Sequence, residues 1–135
     1  MAWLPSVSPA RLDDASLVRQ AQQGDVAALE ELIRAGCLVQ VSAGSVTDPA
    51  DGDTARALRD WFRRGCVHFL GSDGHSPRSR RPLLADAAAR VREWAGPAAA
   101  EWICGLNALA VLRGEPVRVE PPRAVRSWWP LRLLG

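Results

Sequence analysis

An Asp-x-His pair, Asp73 and His75, follows the short apolar run Val67-His68-Phe69-Leu70. Such a run is predicted to be a buried β-strand. Residues two apart in an extended backbone point to the same side, so the pair is expected to aim a carboxylate and an imidazole into one site. That donor mix suits Zn, Mn or Fe and the hydrolytic chemistry such metals support. The plainer reading is a loop Asp capping the next turn beside a solvent-facing His. Arg78, Arg80 and Arg81 follow closely, and guanidinium groups bind phosphate well. Pro82 suits the first turn of a helix, whose N–H groups would favour an anion beside Arg81. His68, inside the strand, reads as a hydrogen-bonded core histidine.

The elements that must hold these residues can be read outward from them. Residues 1–14 are Pro/Ser-punctuated and expected to be irregular. A short helix is predicted over 15–23, ending near Gly24. Asp25 is a plausible N-cap for a helix with Val26, Leu29, Leu32 and Ile33 on one face, and Gly36 lies just past its end. Residues 37–41 read as a strand and 43–52 as a polar loop. A helix over 54–64 would bury Leu58, Trp61 and Phe62 and end at Gly65. The strand 67–70, the loop 71–81 and a helix from Pro82 to Gly96 follow. Helical pieces are predicted over 97–104 and 107–113, each closed by a glycine. The remainder is rich in Pro and Arg, with Trp128-Trp129 in its tail. Helices alternate with strands over short connections, which predicts parallel pairing in an α/β fold. Two parallel strands do not make a covered sheet alone, so the chain reads as part of a larger domain or one needing a partner.

Composition excludes several classes. With 135 residues, one domain is expected. Apolar content of 47% and charged content of 24% are those of a globular protein. A net charge of +2 argues for neither nucleic acid nor a membrane surface as partner. All 17 basic residues are arginine, a bias that fits a GC-rich genome. Cys37, Cys66 and Cys104 match no zinc spacing and read as buried reduced thiols. No apolar run approaches the ~20 residues of a membrane span, and the first residues are no signal peptide. A cytoplasmic location follows by default.

Four blocks resemble one family. Leu32-Ile33-Arg34-Ala35-Gly36-Cys37-Leu38-Val39-Gln40-Val41-Ser42-Ala43-Gly44-Ser45 is similar to the "L-x-x-A-G-x-L-V-Q-V-x-A-G-S" block of bacterial PHP-type protein-tyrosine phosphatases. PHP denotes the polymerase-and-histidinol-phosphatase superfamily, and this branch serves capsule and exopolysaccharide synthesis. Gly65 to His75 looks like its "G-x-V-H-F-I-A-S-D-A-H", Arg81-Pro82-Leu83 like its "R-P-P-L", and Asn107 to Gly114 like its "N-P-x-A-I-L-x-G". The resemblance implies the C-terminal part of a distorted (β/α)7 barrel spanning residues 15–116, with the 117–135 tail outside it. It further implies Mn²⁺ or another divalent metal held partly by Asp73 and His75. Arg81 becomes the phosphate-contacting catalytic candidate, and Arg78 and Ser45 further substrate contacts. The partner implied is a tyrosine-phosphorylated polysaccharide-export kinase; a homo-oligomer is compatible with it, and no nucleic acid or membrane span is expected.

The departures are as informative. The family carries an H-x-H motif, a metal-binding Glu and an "H-P-E-R" block, whereas this sequence has two histidines, His68 and His75, and no H-x-H. Ser8-Pro9-Ala10-Arg11 is a faint echo of the last block, and Asp48 stands where the family has glycine. A truncated or degenerate phosphatase, inactive in isolation, is therefore expected. A non-catalytic partner-binding remnant and a small-molecule phosphoesterase are the alternatives. Leu17 to Leu32 also looks like the opening helix of extracytoplasmic-function sigma factors, but no helix-turn-helix follows.

Overall fold

A computed structural model describes residues 13–123. The N-terminal echo block and Trp128-Trp129 lie outside the described residues. Those described fall into two compact units, divided between Cys37 and Leu38.

The first unit is a pair of helices, α1 (Asp14–Gln22) and α2 (Val26–Arg34). Asp13 caps α1 by accepting from the Ser16 N–H, and Asp25 caps α2 by accepting from the Ala27 and Ala28 N–H groups at 2.9 and 3.2 Å. These carboxylates satisfy donors that a helix start otherwise leaves open. Leu17, Ala28 and Leu32 form the small apolar cluster between them. At the end of α2, Gly36 takes φ +101° and the Cys37 N–H reaches back to the Leu32 carbonyl. With the Gly36 N–H on Ile33, this is a Schellman closure.

The second unit is mixed α/β. Its order is β1 (Gln40–Ser42), α3 (Ala43–Thr47), α4 (Gly52–Arg64), β2 (Phe69–Gly71), α5 (Ala85–Ala95), α6 (Pro97–Glu101), a π-helical turn (Trp102–Leu106) and α7 (Asn107–Arg113). The strands are parallel, with Val41 opposite Leu70. Among the described residues the sheet has these two strands, so a small parallel sheet stands where the resemblance implied part of a barrel. Val46, Phe62 and Val91 are almost fully buried in the core, together with Val41, Leu58, Leu70 and Ile103. Trp94 tilts against Phe62 with ring centroids 5.7 Å apart, and Trp61 packs on the same cluster.

Several boundaries differ from the sequence reading. Both strands start later because His68 interrupts the ladder: its Nδ1 accepts the Val39 N–H at 3.0 Å. The segment expected to be a polar loop opens with α3, whose Val46 is pinned in the core. The helix expected at Pro82 starts at Ala85, so Pro82 lies in the loop before it and the Arg81 carbonyl accepts from the Leu83 N–H instead. Gly105 does not end a helix. It lies in the π-helical turn, where the Asn107 N–H bonds the Trp102 carbonyl, so the chain stays helical from Pro97 to Arg113. Of the three thiols, Cys66 is buried but Cys37 is exposed, because it sits just past the α2 closure. No helix among the described residues is long and apolar enough to cross a membrane.

Candidate functional site

Parallel strands put both C-terminal ends on one side, and ligand sites of open α/β sheets form there. In this chain β1 runs directly into α3 and β2 into the loop 72–84. A cleft of about 820 Å³ lies between them, floored by the start of α5. Ser45, Asp73, Arg78 and Arg81 all line it. Segments some thirty positions apart in sequence therefore meet at one concavity.

Asp73 reaches the cleft by a different route from the one expected. It is not extended: β2 has ended at Gly71, and Asp73 takes φ +52°, a left-handed conformation uncommon outside glycine, Asn and Asp. Its carboxylate accepts from Arg80 Nη1 at 2.5 Å. His75 folds back so that its Nδ1 lies 2.8 Å from the Asp73 carbonyl and 3.9 Å from its Oδ1. The His75 N–H and the Ser76 N–H both donate to the Arg80 carbonyl, closing the loop. Asp73 lines the cleft, but His75 is not part of its lining. Both side chains stay open, at 50% and 62% exposure, so solvent screens their interaction with each other and with Arg80.

Gly74 is required by close approach. A Cβ there would stand 2.7 Å from the Pro82 Cα. The resembling motif carries alanine at this point, and the run of Pro82 against the loop accounts for the glycine here.

Sequence reasoning named Arg80 among the loop arginines without its pairing, and missed the place of Asp48 and Asp86 in the cleft and the contact made by Arg90. Arg80, rather than Arg78 or Arg81, pairs with Asp73, and nothing in three neighbouring arginines distinguishes them beforehand. Asp48 and Asp86 also line the cleft, balancing Arg78, Arg80 and Arg81, so the wall as it stands carries no net charge. Arg90 of α5 donates to the Val46 and Thr47 carbonyls at 3.2 and 3.5 Å, holding the end of α3 from 44 positions away.

The donors present do not fit a divalent metal centre by themselves. No group of three or more His, Cys, Asp or Glu side chains converges among the described residues. Asp73 and His75 amount to two ligands, one already engaged by Arg80, where even a catalytic zinc takes about three protein ligands.

Residues 19–113 match the family described as capsular polysaccharide synthesis, CpsB/CapC. Among solved structures, the chain is similar to one described with YwqE from Bacillus subtilis and CpsB from Streptococcus pneumoniae, metal-dependent tyrosine phosphatases. The TM-score is 0.68 at 20% identity, and the match covers 79% of this chain and 43% of that one. The chain thus spans less than half the length of the solved relative, and the likeness extends to the fold. No curated protein matches.

Proposed function

This chain belongs to the capsular polysaccharide synthesis family CpsB/CapC, and from that premise we propose that its cleft is the phosphate-facing side of a metal-dependent protein-tyrosine phosphatase site. What supports the reading is the meeting of Asp73, Ser45, Arg78 and Arg81 in one cleft at the strand ends. Among the described residues Arg78 and Arg81 have no acidic partner, which leaves both free for phosphoryl oxygens as charge-assisted donors. Ser45 adds a hydroxyl to the opposite wall. The substrate we assign is a phosphotyrosine in the tail of a polysaccharide-export kinase, met in the cytoplasm, with Mn²⁺ as the metal of the full site.

The 135 residues on their own are proposed to bind a phosphate ester without hydrolysing it. The pairing of Asp73 with Arg80 and the want of a third metal donor among the described residues favour this non-catalytic state. Arg81 and Arg78 would hold the phosphoryl group, and Asp73 and His75 would offer at most two ligands to a metal.

The test is direct. The purified chain with Mn²⁺ is offered a phosphotyrosine peptide, and phosphate release and peptide binding are both measured. Binding without turnover is expected, weakened in R81A. Turnover that disappears in D73A would overturn the inactive state while leaving the phosphatase site standing; no binding at all would remove the site itself.

A further inference from the structure

Arg80 holds the loop after β2 in two ways at once. Its carbonyl accepts the His75 and Ser76 N–H groups at 3.0 and 3.2 Å, and its Nη1 donates to Asp73 Oδ2 at 2.5 Å. Asp73 stands seven positions earlier in a left-handed conformation, and the turn closed on the Arg80 carbonyl brings its carboxylate to the guanidinium. Within that turn Ser76 Oγ accepts from the Arg78 and Ser79 N–H groups at 3.3 and 3.2 Å. Arg78, Arg80 and Arg81 all line the cleft.

Arg80 also decides the sign of the cleft wall. The lining holds Asp48, Asp73 and Asp86 against Arg78, Arg80 and Arg81. Without Arg80 the wall would be net negative, and an unpaired Asp73 carboxylate would face any phosphate that Arg78 and Arg81 drew in. A guanidinium carries five N–H donors in a fixed fork. Among the described residues Arg80 spends its side chain on Asp73 through Nη1, so its other N–H groups stay open to a second anion. Positive charge beside Asp73 is what the family resemblance asked of a metal. Here the chain supplies it from its own sequence, at a place where three metal donors do not converge among the described residues.

We infer, building on the phosphate site proposed above, that Arg80 is a built-in cation standing in for a metal, and that the cleft binds a phosphate monoester without any divalent ion. Arg80 neutralises Asp73 through Nη1 and offers its remaining N–H groups, beside Arg78 and Arg81, to the phosphoryl oxygens. Asp73 then works against phosphate: its carboxylate competes for Arg80 and repels the dianion. A metal ligand does the reverse, since its loss weakens binding. The Asp73 and Arg80 side chains are 50% and 59% exposed, so solvent screening holds each effect to a few-fold.

The test titrates a phosphotyrosine peptide into the full chain by calorimetry, once in EDTA and once with Mn²⁺. Equal affinity in the two is expected. In EDTA, R80Q should weaken binding roughly threefold and D73N should tighten it by a similar factor, both within the range of an exposed ion pair. The double variant R80Q/D73N should return close to the wild type, and R80K, which keeps the charge, should lie between wild type and R80Q. Asparagine tolerates the left-handed backbone at position 73, and amide spectra check the fold of each variant; were R80Q misfolded, the sign of the D73N effect decides. Weakening by both D73N and R80Q, the mark of a pair that merely holds the loop, would overturn the role given to Arg80. Binding confined to Mn²⁺ would overturn it too while leaving the phosphate site standing. Absence of binding in both conditions would remove the site, and the role of Arg80 with it.

Discussion

Replacing His68 by leucine should lower stability at neutral pH and abolish the loss of stability that sets in as pH falls through about 6.5. The imidazole is 2% exposed and its Nδ1 accepts the Val39 N–H at 3.0 Å. Leucine leaves that N–H buried without a partner, which costs about 1–3 kcal/mol, offset in part because the unsatisfied Nε2–H goes as well. A net loss of about 1 kcal/mol is expected at pH 7.5, or roughly 3–4 °C in Tm for a chain of this size. Burial pushes the His68 pKa below its ordinary 6.5. An unfolded chain therefore takes up a proton near pH 6.5 that the folded chain refuses. Wild-type stability must fall as pH drops through 6.5, by up to about 1.4 kcal/mol per pH unit, until the folded pKa is reached. H68L should lack this slope. His75 is the other histidine, so both backgrounds carry H75Q, and urea melts are run from pH 7.5 to 5. If H68L/H75Q kept the slope of H75Q, the neutral, buried imidazole would be wrong.

Three further outcomes follow from the geometry. G74A should lose about 1–3 kcal/mol, the usual range for overpacking, because its Cβ meets Pro82 backbone; amide shifts should change around Asp73 and His75, and unchanged shifts there would contradict the close approach. R90Q should lose about 1 kcal/mol as the Val46 and Thr47 carbonyls lose their donor, with faster hydrogen exchange in α3 as the specific readout. F62A, at a site 2% exposed in the middle of the second unit's core, should lose about 3–5 kcal/mol; a loss under 1 kcal/mol in a urea melt would show that the core lies elsewhere.

Much of this fold was legible because local chemistry and tertiary structure agree. Asp25, Gly36 and Gly65 mark helix ends with cap residues whose hydrogen bonds form as their types require. The parallel pairing of the strands followed from the spacing of helices and apolar runs. Elements decided by distant partners were not legible. Ala43–Thr47 contains Gly and Ser, which favour turns, yet it is helical because Val46 is buried and Arg90 holds its last carbonyls. Gly105 looked like a stop, but the π-helical turn carries the chain through it. The extended-strand argument brought Asp73 and His75 together for the wrong reason: the strand ends early, and a turn around the Arg80 carbonyl does the work.

The left-handed backbone at Asp73 puts two demands on one position. Glycine adopts that conformation without steric penalty, so a screen that rewards only heat tolerance would be drawn to residue 73, and each improved clone would have discarded the carboxylate. Libraries meant to harden this chain should hold that codon fixed.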